Sequence, residues 1–138
     1  VTVEDNKRIV LDLLANWLDP EHFAAVAHDD LVFVVEADPR HTPFAGAKTK
    51  EHMVETRRRA AGRFPEGVAM TVLGLVAEGD QVAVRVLAEA KVAEGEYRNR
   101  AHFAFELRDG LITKVHEYTD TAYLAAELAA TTRHISSR

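Results

Sequence analysis

Up to Arg63 the apolar residues recur at helical spacing, whereas from Gly67 onward they recur at every second position. That single change of period restricts the fold more than any motif in the chain. The turn signals Glu78-Gly79-Asp80, Glu94-Gly95 and Arg108-Asp109-Gly110 cut the second half into strands at about 68 to 78, 81 to 93, 96 to 107 and 111 to 119. In the first half, Ile9, Val10, Leu13, Leu14, Trp17 and Leu18 form one apolar face of a helix over 4 to 18, with Thr2 as its cap. Asp19-Pro20 starts a second helix, running to about Ala27, because Asp caps well and Pro suits the first helical position. Leu31-Val32-Phe33-Val34-Val35 is too short and too β-branched for a helix and predicts a strand. Residues 37 to 46, with two prolines and a glycine, predict an irregular loop, and 48 to 63 a third helix carrying Met53, Val54, Arg57, Ala60 and Ala61. The tail from 121 to 131 has the pattern of a short terminal helix.

Helices gathered early and strands gathered late describe an α+β domain of order α-α-β-α-β-β-β-β. The expected form is a strongly curved antiparallel sheet wrapped against helices and enclosing a pocket. At 138 residues the chain fits one domain, 1 to 138, with a core of its own.

Composition removes several functions. The absence of cysteine excludes disulfides, thiolate nucleophiles and thiolate-bound metal centres. With 17 Lys+Arg against 22 Asp+Glu, the net charge is −5, the wrong sign for a nucleic-acid partner. Arg57-Arg58-Arg59, the one basic run, reads as a solvated helix face. There is no apolar stretch of membrane-span length and no signal-peptide pattern at the start, so the expectation is a cytoplasmic protein without a membrane partner. Both serines, Ser136 and Ser137, sit in the last three residues, far from any arrangement suited to a Ser-His-Asp site. The seven histidines show no ligand spacing, and no glycine-rich nucleotide motif occurs, so neither a metal nor a cofactor is expected.

What remains is carboxylate chemistry on an inner sheet face. A three-residue loop at Arg108-Asp109-Gly110 pairs Phe105 with Thr113, Phe103 with Val115 and Ala101 with Glu117, which turns Tyr97, Asn99, Phe103 and Glu117 toward one face. On the other face it pairs Arg100 with Tyr118 and His102 with His116. A two-residue loop at Glu94-Gly95 adds Val82, Val84, Val86 and Ala88 to the inner face and sets Glu89 opposite Arg100; a three-residue loop would turn Arg85 inward instead. A Glu among apolar side chains needs a partner or a raised pKa, which suits general acid–base work. Asp38 in the irregular loop and Glu117 on the last strand are therefore the catalytic candidates. Asn99 is the candidate donor to a substrate oxygen, and Trp17, Phe44 and Phe103 are candidate walls.

The stretch from Asp30 to Gly46, DLVFVVEADPRHTPFAG, and the stretch from Tyr97 to Thr121, YRNRAHFAFELRDGLITKVHEYTDT, resemble the SnoaL-like polyketide cyclase family. That family lies within the nuclear transport factor 2-like superfamily of cone-shaped α+β domains, with ketosteroid isomerases and limonene epoxide hydrolases. Asp38-Pro39 looks like the Asp-Pro that supplies the isomerase base, although the isomerase tyrosine falls on Leu11 and its second aspartate near Ala101. Glu117-Tyr118 aligns with the catalytic Asp-Tyr of the epoxide hydrolases and Arg85 with their arginine, while Leu87 stands at their second aspartate. The resemblance implies a cofactor-free acid–base enzyme acting on a hydrophobic, carbonyl-bearing small molecule, with Asp38 or Glu117 as acid–base. The alternative is a non-catalytic binding or dimerisation module of the same fold. It also implies a homodimer through the outer sheet face, which here carries Arg98, Arg100, His102, His116 and Tyr118.

Overall fold

The computed structural model describes residues 1–93 and 95–136, with side chains described through Ala129. The side chains of His134 and Ser136, together with Glu94 and Ser137, lie outside the described residues. The chain opens with α1 (Val3–Ala15), capped by Thr2, whose hydroxyl accepts from the Asp5 N–H at 3.0 Å while Asp5 accepts from the Thr2 N–H. Val10, Leu13 and Leu14 bury its apolar stripe. Four residues after the end of α1, Asp19 caps α2 (Pro20–Val26), accepting from the Glu21 and His22 N–H groups. β1 (Ala27–Val35) begins four residues earlier than its β-branched centre predicts, starting where α2 ends.

One element goes unseen in the sequence. Gly46–Thr49 forms a short strand, β2, antiparallel to β1, where an irregular loop and the start of a helix are expected. α3 (Lys50–Arg63) then starts at the Thr49 cap. β3 (Ala69–Glu78), β4 (Gln81–Val92), β5 (Gly95–Arg108) and β6 (Leu111–Thr119) make the meander, and α4 (Thr121–Ser136) follows. The six strands form one curled, unclosed sheet of order β2-β1-β6-β5-β4-β3. It is mixed rather than wholly antiparallel, because β1 returns alongside β6 in parallel. α1, α2 and α3 pack on its inner side over Phe23, Phe33, Phe105, Ile112 and Val115, all at most 1% exposed. No helix among the described residues is long and apolar enough to cross a membrane.

Both hairpins keep the expected faces but shift their pairing by two residues. At the last turn, Asp109 and Gly110 both take positive φ, 52° and 80°, and close a two-residue loop between Arg108 and Leu111. Continued unbroken, that register would drive Lys114 into the core opposite Phe105. A bulge at Thr113 prevents it, so that Leu107 faces Ile112, Phe105 faces Val115 and Phe103 faces Glu117. His102 accordingly opposes Tyr118, and Ala104 opposes His116. In the preceding hairpin Val92 pairs with Gly95, which sets Glu89 opposite Arg98 instead of Arg100, with their charged groups 3.7 Å apart. A shift of two preserves every side-chain direction, so Val82, Val84, Val86 and Ala88 point inward as expected.

Two substitutions separate packing from turn conformation. A Cβ on Gly110 meets only side-chain ends at 3.9 Å, so Gly110→Ala strains the positive φ alone and is expected to cost about 1–2 kcal/mol. Phe33→Ala removes a ring that is 1% exposed and is expected to cost about 3–5 kcal/mol. Urea unfolding of both variants measures the difference.

Candidate functional site

The curled sheet and the helices leave a cavity of about 460 Å³ between α3, the inner faces of β4, β5 and β6, and α4. Trp17, Phe44 and Phe103 all line it. Trp17 sits in the turn after α1, its ring 5.0 Å from Phe103 and 6.5 Å from Phe33. Pro43 and Phe44 reach the cavity from the irregular loop, and Leu124 and Leu128 from α4. The exposed surface of the lining is mainly apolar, with charged groups from Lys48, Arg59, Arg63 and Glu117 among it.

Glu117 projects into this cavity from β6. The bulge at Thr113 decides this, because it restores the inward phase of Val115 and with it that of Glu117 two residues on. The carboxyl keeps contact with the cavity but lies deep among protein atoms, and burial pushes its pKa up from 4.5 to about 7. The opposing influence is a cation, Arg57. Its side chain is 3% exposed, contrary to the solvated face expected of Arg57-Arg58-Arg59; only Arg58 and Arg59 are in solvent. The residue stands four after Met53 and three before Ala60, on the buried stripe of α3.

Arg57 is held almost entirely by carbonyls and rings. Its Nε donates to the Trp17 carbonyl at 2.9 Å and its Nη1 to the Met53 carbonyl at 3.2 Å. The guanidinium lies 3.9 Å from the Phe23 ring centroid and 4.8 Å from that of Trp17. Burial lowers its pKa to about 10, against the pull of Glu117, so it stays charged at neutral pH. The Arg57 charge in turn limits how far Glu117 rises.

Beside Glu117 lies a pair from β5. Asn99, 7% exposed, donates both amide hydrogens, one to the Tyr97 hydroxyl at 3.0 Å and one to the Asp120 carbonyl at 3.1 Å. The Asp120 carbonyl can only accept, which fixes the amide orientation. Asn99 therefore has no N–H left for a substrate, and its expected donor role is corrected. Since the Tyr97 hydroxyl accepts from Asn99 and donates to no acceptor among the described residues, its own proton is available to a ligand. Burial, opposed by the Asn99 hydrogen bond, pushes the Tyr97 pKa up to about 12, so it remains a neutral donor. Tyr97 lines the cavity, and its ring packs 6.0 Å from Phe64 and 5.4 Å from Tyr123. Its inward phase was readable; its free proton was not, because that depends on the Asn99 and Asp120 partners.

Two sequence candidates lie elsewhere. Asp38 is not among the cavity residues: its carboxylate accepts from the Arg40 N–H at 2.8 Å and from the Arg40 guanidinium at 2.6 Å. Those bonds lower its pKa, which weakens it as a base. Its carbonyl also accepts from the His41 and Thr42 N–H groups, so it is the organising residue of a turn. Arg85 points to the outer sheet face opposite His102, with its guanidinium over Gly74, because the strand phase that buries Val84 and Val86 turns it outward. Among the described residues, no three His, Asp or Glu side chains converge as metal ligands.

The raised Glu117 pKa has a consequence for stability. Below pH 4.5 both folded and unfolded chains hold the proton; between there and about 7 the unfolded chain loses it first, so stability falls as pH rises and levels off above 7. The full decline attributable to Glu117 is about 3 kcal/mol. Urea titrations at acidic, neutral and mildly alkaline pH are expected to show this decline in the native chain and to lose it in Glu117→Gln.

Comparison with curated protein sequences finds no match. Solved structures share the architecture at low identity. PrhC from Penicillium brasilianum superposes with a TM-score of 0.81 at 14% identity, over 96% of this chain and 93% of its own. An M. tuberculosis LEH-like epoxide hydrolase gives 0.71 at 21%, over 98% and 97%. A protein of ketosteroid isomerase-like fold from Catenulispora acidiphila gives 0.71 at 18%, over 86% and 90%. These likenesses establish the fold. The family model for the SnoaL-like domain matches residues 12–115, and the chain therefore belongs to the SnoaL-like family.

Proposed function

We propose that the chain is a cofactor-free acid–base enzyme acting on a hydrophobic, carbonyl-bearing small molecule, with Glu117 as the proton-transfer group and Tyr97 as the donor to the carbonyl oxygen. One observation carries the reading: a carboxyl poised near pH 7 lies in an apolar cavity with a neutral phenol whose proton is unclaimed among the described residues. The Glu117 carboxylate would take a proton from the carbon next to the carbonyl. The electron pair of that C–H bond moves onto the carbonyl oxygen, giving an enolate that accepts from Tyr97. Glu117 then returns the proton to the same or a conjugated carbon, so the protein ends unchanged. Trp17, Phe44 and Phe103 supply apolar surface for the substrate body. The epoxide hydrolase named above is a relative in fold alone, and its activity lends no residue to this scheme.

Deuterium exchange into 2-tetralone, followed by NMR in D2O, tests the reading without knowledge of the natural substrate. The rate is expected to rise with pH to an inflection near 7, where Glu117 ionises, and then to level off. Glu117→Gln is expected to abolish the protein-dependent rate, Tyr97→Phe to lower it about a hundredfold, and Asp38→Asn to leave it within twofold. Binding of tetralone without any exchange would instead support the non-catalytic binding module.

The homodimer is likewise proposed. Val76 and Tyr118, 72% and 51% exposed, stand on the outer sheet face away from the cavity. Light scattering at micromolar concentration is expected to give twice the chain mass, and Tyr118→Lys to give the single-chain mass.

A further inference from the structure

The cavity mouth has a charge opposite to that of the protein. Lys48, Arg59 and Arg63 line the cavity, and Glu117 is the one carboxylate that does so among the described residues, although the whole chain carries −5. The arrangement follows from α3: His52, Thr56, Arg59 and Arg63 recur every three or four residues and form one stripe of the helix along the opening. Lys48 adds a third cation from β2, using one N–H on the Ala45 carbonyl at 3.0 Å. Arg59 shares its charge with Glu55 at 3.5 Å, whereas Arg63 makes no ion pair with any described residue. Arg59 and Arg63 are both exposed, so their charges face whatever enters.

A neutral apolar ligand has no use for three cations at the entrance. In a chain of net negative charge, an approaching anion is repelled at long range, and a local cationic rim reverses that field at the opening. Glu117 lines the same cavity and disfavours a second anion beside it. The cavity therefore combines three cations, the rings of Trp17, Phe44 and Phe103, and the Glu117 and Tyr97 side chains.

We propose that the ligand is an amphipathic organic anion, with an apolar body seated in the cavity and a carboxylate-type oxyanion held at the mouth by Lys48, Arg59 and Arg63. The proposal rests on the cavity being the site named under Proposed function, and it adds the substrate class. The carbonyl to be enolised then belongs to the apolar body, apart from the anionic head. Recognition at an open mouth is electrostatic and weakens with salt, unlike the contacts made by the rings.

Trp17 is the single tryptophan of the chain and lines the cavity, so its emission reports occupancy. The probes are 2-naphthoate and 2-naphthamide, which share a ring system and size and differ in charge. The native chain is expected to bind naphthoate about tenfold more tightly at low ionic strength, with the preference shrinking as salt is added. The double substitution Arg59→Gln with Arg63→Gln, both at exposed positions, is expected to bring the ratio to within about twofold of unity while leaving naphthamide affinity unchanged. Equal affinities in the native chain, a preference that survives the double substitution, or no Trp17 response to either probe would overturn the proposal. Glu117→Gln separates it from the acid–base reading: exchange into tetralone is lost, and the naphthoate preference is expected to persist. If native protein shows the preference but no exchange, the anion site stands and the catalytic reading falls.

Discussion

One inserted residue sets the inner face of the sheet. The Asp109-Gly110 turn fixes a two-residue loop through its paired positive φ values, and that loop alone would bring Lys114 to the core beside Phe105. Burying an unpaired ammonium there is far more costly than a local irregularity in the ladder. The bulge at Thr113 resolves the conflict, letting Ile112 and Val115, three apart, both lie fully buried. Its hydroxyl donates to the Glu106 carbonyl at 3.1 Å, giving the kinked backbone a partner. Everything that makes the cavity chemical follows from that phase, since Glu117 is inward only because Val115 is.

The same burial that raises Glu117 is answered from the helix side. Arg57 lies in the core with its charge directed at rings and carbonyls, and its Nη2 finds no hydrogen-bond partner in the described structure. Such a group is costly unless another charge compensates it, and Glu117 is the carboxylate that does so. Each group thereby moderates the other: the carboxyl stays near neutrality instead of rising further, and the guanidinium stays ionised. Because Arg57 Nε also holds the Trp17 carbonyl, the residue that tunes the floor of the cavity fixes part of its wall as well. Electrostatics and shape are thus linked through one side chain.

These dependencies explain what the sequence made readable. Side-chain direction was legible on β4, β5 and β6 because alternation survives a register shift of two; the pairings themselves were not, since Phe105 opposite Thr113 or Val115 satisfies the same alternation. Positive φ at both turn residues was available in the Asp-Gly dipeptide, yet the bulge that compensates for it has no local signal. β2 escaped notice because four residues after two prolines offer too little pattern. Arg57 was legible in phase, standing with Met53 and Ala60, but its neighbours Arg58 and Arg59 gave it the look of a solvated run. Asp38 failed for a different reason: Asp-Pro is compatible with either a pocket base or a turn, and only the position of Arg40 decides between them. The orientation of the Asn99 amide is not legible locally, because the acceptor that fixes it, the Asp120 carbonyl, is 21 residues away.

The arrangement of charge along α3 shows how one helix serves core and cavity together. Arg57 on the buried stripe and Arg59 and Arg63 on the adjoining stripe differ by a fraction of a turn, yet one is taken out of water and the others remain in it. The buried cation acts at short range and in low dielectric, so it changes the proton affinity of Glu117 and is nearly insensitive to salt. The exposed cations act through solvent, so they bias which ligands enter and leave the carboxyl unchanged. The proposed ligand selection and the proposed proton transfer are therefore separable by ionic strength, although both depend on arginines of the same helix.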